Sequence, residues 1–169
     1  MPGAVEDQLR DGTRVTIRPI TPEDRTEIAA AVRNLSPESR YKRFLGAVDA
    51  LDARTLRYLT EIDHHDHEAL VAFDAADGHG VGVARYARAP GAADAAELAV
   101  VVADAWQGQG LGTLLVRKVI DRARDEGISQ LTALVLATNT QMLELLEREG
   151  WRREGLPHDG TVELSFAVR

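Results

Sequence analysis

The 169-residue chain carries 20 Lys and Arg against 27 Asp and Glu, a formal net charge of −7, and no Cys. That length suits one domain that folds without staples, and the missing Cys excludes a disulfide framework, a thiolate metal site and a cysteine nucleophile. The acidic balance disfavours a general nucleic-acid binder, which needs clustered cations. No apolar run reaches the roughly 20 residues that span a bilayer. The polar, acidic N-terminus does not read as a secretory signal, so no membrane is expected and the expected location is cytoplasmic. The charge is uneven. Residues 1–60 hold 10 basic and 9 acidic side chains, and residues 61–169 hold 10 basic and 18 acidic. The C-terminal part would attract a cationic group.

In chain order, residues 1–11 read as a loose, flexible leader, and residues 12–169 as a single domain. Residues 13–20 alternate Val15, Ile17 and Pro19 with polar side chains, a strand pattern. Thr21-Pro22-Glu23-Asp24 is a helix start, with a Thr cap, Pro in the first turn and acids behind it. Ser36-Pro37-Glu38 repeats that signal and opens a second helix. Asp52 opens a third, with Leu56, Leu59 and Ile62 on one face. The period then changes to strand-like runs at 68–75, 80–89 and 95–103, the first two joined by an Asp77-Gly78 turn. A helix over 110–126 carries Leu111, Leu115, Val119 and Ala123 inward and closes at Gly127. A short apolar strand follows at 131–137, then a helix at 139–149 ended by Gly150, then a clear strand at 161–168. Consecutive strands imply antiparallel pairing, and the strand–helix–strand unit implies a parallel crossover. The expected class is a mixed α/β domain around one central sheet.

The chemistry-bearing stretch is residues 100–113, VVVADAWQGQGLGT, where a strand runs into a Gly-rich turn that opens a helix. Gly108, Gly110 and Gly112 let the backbone approach a ligand. Free N–H groups and the helix dipole there suit a phosphate. A dinucleotide fingerprint from Gly108 would need Gly at Thr113, and a Walker A loop would need Gly-Lys-Ser/Thr. What remains is Q-x-x-G-x-G, through Gln107, Gly110 and Gly112. That pattern resembles the pyrophosphate-binding turn of the GNAT superfamily of acyl-CoA-dependent N-acetyltransferases. The block NTQMLELLEREGW resembles a second signature of that family, through Asn139, Met142, Leu145, Gly150 and Trp151. Upstream, DGTRVTIRPITPED, LSPESRYKRF and EIDHHDHEALVAFD are similar to the acetyltransferase domain of Pat-type bacterial protein lysine acetyltransferases. The resemblance implies the GNAT fold, a mixed sheet of six to seven strands flanked by helices. In that group the domain is often fused to a regulatory domain, for which this length leaves no room.

The resemblance also implies roles. The backbone of Ala99, Val100, Val101 and Val102 would pair with the pantetheine arm of acetyl-CoA. Gln107, Gly108, Gln109, Gly110, Leu111, Gly112 and Thr113 would hold the pyrophosphate. Asn139 would lie near the pantetheine amide or the sulfur end, while also capping its helix. An attacking Lys amine, with a pKa of about 10.4, must lose its proton to a general base. Glu97 is the candidate, since its apolar neighbours suggest a burial that would raise its pKa, and a Glu at the matching place serves Pat-like enzymes so. The plain alternative is an edge-strand Glu in a salt bridge. Many family members carry a Tyr general acid where this chain has Leu146, so water, or departure of an unprotonated thiolate, would serve instead.

His64, His65 and His67 with Asp63, Asp66 and Glu68 suit no familiar tetrahedral spacing and read as a polar loop, so no metal is expected. Arg40, Lys42 and Arg43 beside Tyr41 and Phe44 read as an amphipathic helix face; contact with a protein substrate or the CoA 3′-phosphate is the lesser reading. The expected activity is acetyl transfer to protein lysine in a ternary complex. The alternatives are a small-amine acetyltransferase and a non-catalytic acyl-CoA sensor.

Overall fold

The computed structural model describes residues 3–169. Strand alternation builds its centre. In β2 (Arg14–Pro19) Val15 and Ile17 are buried while the polar residues between them face outward. The start of β5 (Ala95–Val102) alternates likewise, whereas β3 (His67–Asp74) and β4 (Gly80–Arg88) are covered on both faces, with Glu68–Ala72 buried in one unbroken run. With β1 (Val5–Gln8), β6 (Gln130–Leu136), β7 (Arg152–His158) and β8 (Thr161–Ala167) they form one sheet in the order β1-β2-β3-β4-β5-β6-β8-β7. Every pairing is antiparallel except β5 with β6. That parallel pair is joined by the crossover through helix α4 (Leu111–Asp125).

The mixed sheet matches expectation, but it has eight strands rather than six to seven. One addition lies inside the segment expected to be a loose leader: Val5–Gln8 pairs with β2, Val5 opposite Ile17. Met1 and Pro2, also of that segment, lie outside the described residues. The other addition, β7, is exposed along its whole length and pairs only with β8, so it shows no hydrophobic alternation.

Helices α1 (Arg25–Asn34), α2 (Pro37–Phe44), α3 (Ala53–Thr60) and α5 (Thr140–Arg148) complete the fold. Their starts follow from local capping. Ser36 accepts from the Ser39 N–H at 3.1 Å, Asp52 from Thr55 at 2.7 Å and Asn139 from Met142 at 3.3 Å. The first expected helix opens with a 3₁₀ turn at Pro22–Asp24. There Asp24 is buried and takes both Arg18 guanidinium arms, at 2.7 and 2.8 Å.

Helix α4 lays Leu111, Leu115, Val119 and Ala123 on one sheet face, against Ala84, Tyr86 and Leu98. Each such leucine contributes about 1.5–3 kcal/mol by burial. The helix comes close because β4 has Gly82 beneath it, where a Cβ would stand 2.9 Å from a Leu115 methyl. On the other face α1 and α3 cover Ala69 and Val71 with Ile28 and Leu56. Among the described residues no helix is long and apolar enough to cross a membrane.

Candidate active site

Strand β5 pairs with β4 from Gly82↔Val102 to Arg88↔Ala96. With β6 it pairs only at Ala95↔Gln130, Ala96↔Leu131 and Glu97↔Thr132. Beyond that rung β6 stays with β8 as far as Leu136, so the two strands part and residues 98–102 keep one backbone edge without a ladder partner. A groove of about 450 Å³ opens in this fork. An edge of unpaired N–H and C=O groups is a template for an extended, amide-bearing chain.

At the far end of β5 a 3₁₀ turn, Asp104–Trp106, leads into the glycines. Gly108 has φ +75° and Gly110 φ +90°, left-handed values that favour glycine. The first helical bond of α4 runs from the Leu114 N–H to Gly110, and residues 108–113 donate no backbone N–H to an acceptor among the described residues. Six N–H groups at a helix N-terminus, carrying its partial positive charge, fit a pyrophosphate.

The groove is lined by Glu97, Ala99, Val100, Val101, Val102, Gln107, Gly108, Gly110, Gly112, Thr113 and Asn139, eleven of the residues singled out from sequence. Two others do not line it. The Gln109 amide turns back to donate to the Ala105 carbonyl at 3.0 Å, and the Leu111 side chain is buried under the sheet near Gly82. Only their backbone is available to a ligand. Gln107 acts as a clasp, donating to Val102 O at 3.0 Å and Ser39 Oγ at 3.2 Å. Asp104 completes that clasp by accepting from the Ser36 N–H and the Ser39 hydroxyl, both at 3.2 Å. Burial would raise the Asp104 carboxyl, but these hydrogen bonds outweigh it and hold the group below its ordinary value.

Glu97 differs from expectation. Its neighbours Ala96 and Leu98 are 2% and 3% exposed, yet Glu97 itself is exposed, because alternation turns it to the opposite face. It therefore lacks the burial its apolar neighbours suggested. It stands on the groove side, in one cross-sheet row with Ala87 and His67. Leu146 is almost wholly buried in the groove wall, an aliphatic group with no proton to give.

The histidine segment is only partly a loop, since His67 and Glu68 begin β3. Glu68 is 0% exposed and accepts from the Arg122 Nη2 at 3.0 Å and the Ala69 N–H at 2.9 Å, with His64 Nδ1 at 2.7 Å. The nearby His65 Nδ1 lies 2.5 Å from Glu126. His67 packs against the Tyr58 ring at 5.2 Å and its Nε2 lies 3.0 Å from Arg85 Nη1. Burial, reinforced by the Arg85 charge, pushes the His67 imidazole down to about 4. It is thus neutral near pH 7, and its Nε2 accepts from Arg85.

Four groove cations lie outside the expected site: Arg10, Lys42, Arg43 and Arg148. Lys42 and Arg43 belong to the patch for which contact with a protein substrate or the CoA 3′-phosphate is the lesser expectation, and Arg10 falls in the expected leader. Arg10 Nε lies 3.8 Å from where a Gly110 Cβ would be, over the start of α4. The hairpin that delivers Arg10 is about 100 residues away in sequence, so no local signal marks it.

Residues 14–152 match the family model described as Acetyltransferase (GNAT) domain. The chain is 37% identical over 157 residues to Acetyltransferase PA5475 of Pseudomonas aeruginosa, covering 92% of this chain and 84% of that protein. It is 34% identical over 151 residues to Acetyltransferase Pat of Mycolicibacterium smegmatis, covering 88% of this chain and 45% of that longer protein. Its fold superposes on the crystal structure of the GNAT domain of S. lividans PAT with a TM-score of 0.93 and 31% identity, over 99% of both chains. The structure of yncA from Salmonella typhimurium with its cofactor acetyl-CoA shares the fold at TM-score 0.74 and 21% identity. The forked β5–β6 pair and the free amide turn thus agree with the family match, and the chain belongs to the GNAT acetyltransferases, acyltransferases that use acetyl-CoA.

Proposed function

We propose that this enzyme acetylates the ε-amine of protein lysines, by direct attack in a ternary complex with Glu97 as general base. The observation that carries the reading is the position of Glu97. It is the last residue of β5 paired to β6, at the apex of the fork, with its carboxylate on the open groove face. An arm lying along residues 98–102 would bring its reacting end to that apex. Similarity to the GNAT domain of S. lividans PAT over 99% of both chains supports lysine as the acceptor.

Acetyl-CoA supplies an activated thioester when bound. Every other requirement falls to the chain. The N–H groups of residues 108–113 hold the pyrophosphate, and Arg10, Lys42 and Arg148 add positive charge around the same groove. Backbone groups of Ala99, Val100, Val101 and Val102 orient the amide-bearing arm, with Asn139 lining the same groove. A lysine amine of pKa about 10.4 is almost wholly protonated near neutrality, so Glu97 takes its proton, directly or through one water. With Leu146 in the groove wall, no side-chain acid is required, because a thiol of pKa about 8.5 leaves tolerably as thiolate.

Incubation with acetyl-CoA and a panel of acyl-CoA synthetases, followed by peptide mass spectrometry, tests the reading. One acetyl group on a defined lysine is expected. Turnover of small amines alone would replace lysine with a small acceptor, and acetyl-CoA binding with no turnover of any amine would make the chain a sensor.

A further inference from the structure

The groove wall behind Glu97 is electrostatically unusual for this chain. Arg43, from the end of α2, lines the main groove and also a small apolar cavity of about 50 Å³ behind it, where Arg85 joins it. Among the described residues neither guanidinium is paired with a carboxylate. Arg18, Arg25, Arg88, Arg117, Arg122, Arg124 and Arg153 all are. Other arginines without a carboxylate partner, such as Arg33, Arg54 and Arg57, are exposed to solvent, whereas Arg43 and Arg85 stand in the wall between the groove and the cavity.

Arg85 is only 6% exposed. Its Nη1 donates to Leu59 O at 3.1 Å, which ties down the end of α3, and to the neutral His67. That accounts for one arm of one arginine. Arg43 has no hydrogen-bond acceptor among the described residues, and its guanidinium lies 4.8 Å from the Phe44 ring centroid. Burial pulls both guanidinium pKa values down, Arg85 to about 9, with the Arg43 charge adding to the fall. Glu97 opposes that for Arg43, without an ion pair between them. Desolvated charges of like sign are costly unless a counter-charge arrives. Local strain of this kind concentrates where a ligand will relieve it.

We propose that Arg43, reinforced by Arg85, is an anion subsite for the acceptor, so that the preferred amine sits beside a carboxylate. Building on the lysine reading above, that carboxylate is an acidic side chain flanking the target lysine. The subsite reverses locally the acidic character of the C-terminal part of the chain. Tyr58, 61% exposed, packs at a tilt against the His67 ring that accepts from Arg85.

The test compares acetyl-CoA turnover of lysine peptides with Asp or Glu beside the lysine and of their Asn or Gln counterparts. Carboxylate-bearing small amines are compared with analogues lacking the carboxylate. A charge-assisted contact predicts a KM lower by about 10-fold or more for the acid form. Arg43→Gln should collapse that ratio toward unity while the Kd for acetyl-CoA stays unchanged, and Arg43→Lys should keep part of it. Arg43→Gln should melt close to wild type, since the half-buried side chain it replaces makes no hydrogen bond or ion pair among the described residues. Were it not to fold, the wild-type acid/amide ratio would decide alone. Equal KM for acid and amide peptides overturns the subsite and leaves the lysine reading standing. Turnover of carboxylate-bearing small amines but of no peptide supports the subsite and overturns the lysine reading.

Discussion

The final rung between β5 and β6 joins Glu97 to Thr132, and the two strands part at the next residue. One residue therefore ends the ladder and begins the groove, and its side chain faces the groove rather than the α4 core. Geometry of this kind is set by backbone pairing, so it is stiffer than a base carried on a loop.

The amide turn gives a prediction for cofactor affinity. Gly110 holds φ +90° as the residue before α4, and an L side chain there costs about 1–2 kcal/mol. Its Cβ would also point toward Arg10 Nε, 3.8 Å away. Gly110→Ala should raise the KM for acetyl-CoA more than it lowers kcat, because it disturbs the phosphate end and not the reacting end. Steady-state kinetics at varied acetyl-CoA measures this. A kcat effect without a KM effect would place Gly110 elsewhere in the mechanism.

Glu68 tests the polar cluster on the α4 face. Its fully buried carboxylate accepts from Arg122 and the Ala69 N–H, with His64 2.7 Å away. Removing one partner of a buried ion pair costs about 3–5 kcal/mol, because the other is left uncompensated. Glu68→Ala should lose stability of that order in urea titration, with acetyl-CoA affinity retained in the folded fraction. A loss no larger than that of an exposed glutamate such as Glu144 would contradict the network.

His67 predicts an acid-side loss of stability with a defined window. Its folded pKa is about 4 against 6.5 for the free side chain, so the unfolded chain binds a proton that the folded chain refuses. Stability attributable to this group is constant above pH 6.5 and falls as pH drops toward 4. The lowered carboxyls of Asp24 and Asp104 act below their ordinary 3.8, outside that window. Thermal melts should therefore fall between pH 6.5 and 4.5 for wild type and fall less for His67→Gln. Identical slopes would remove His67 from the account.

Much of the fold was legible because its signals are local. Helix caps, the Gly-rich turn and the alternating strands each lie within a few residues of sequence, and they carried the family resemblance too. What was not legible has physical causes. Strand β7 is exposed at every position, and β1 contributes a mostly polar VEDQ, so neither shows the burial period that marks a strand. The environment of Glu97 was misjudged by averaging over neighbours, although a strand with Ala96 and Leu98 inward must turn Glu97 out. Arg10 and the Arg43–Arg85 wall are assembled from distant segments, and only tertiary packing brings them to the groove.

The most direct test of the central claim is the pH–rate profile of Glu97→Gln beside wild type with a lysine acceptor. The account predicts a kcat/KM lower by about 10²–10⁴-fold near neutral pH, with the Kd for acetyl-CoA unchanged. The deficit should shrink as pH approaches the lysine pKa of about 10.4, where the amine is neutral unaided. Wild-type turnover by the variant at neutral pH would contradict it.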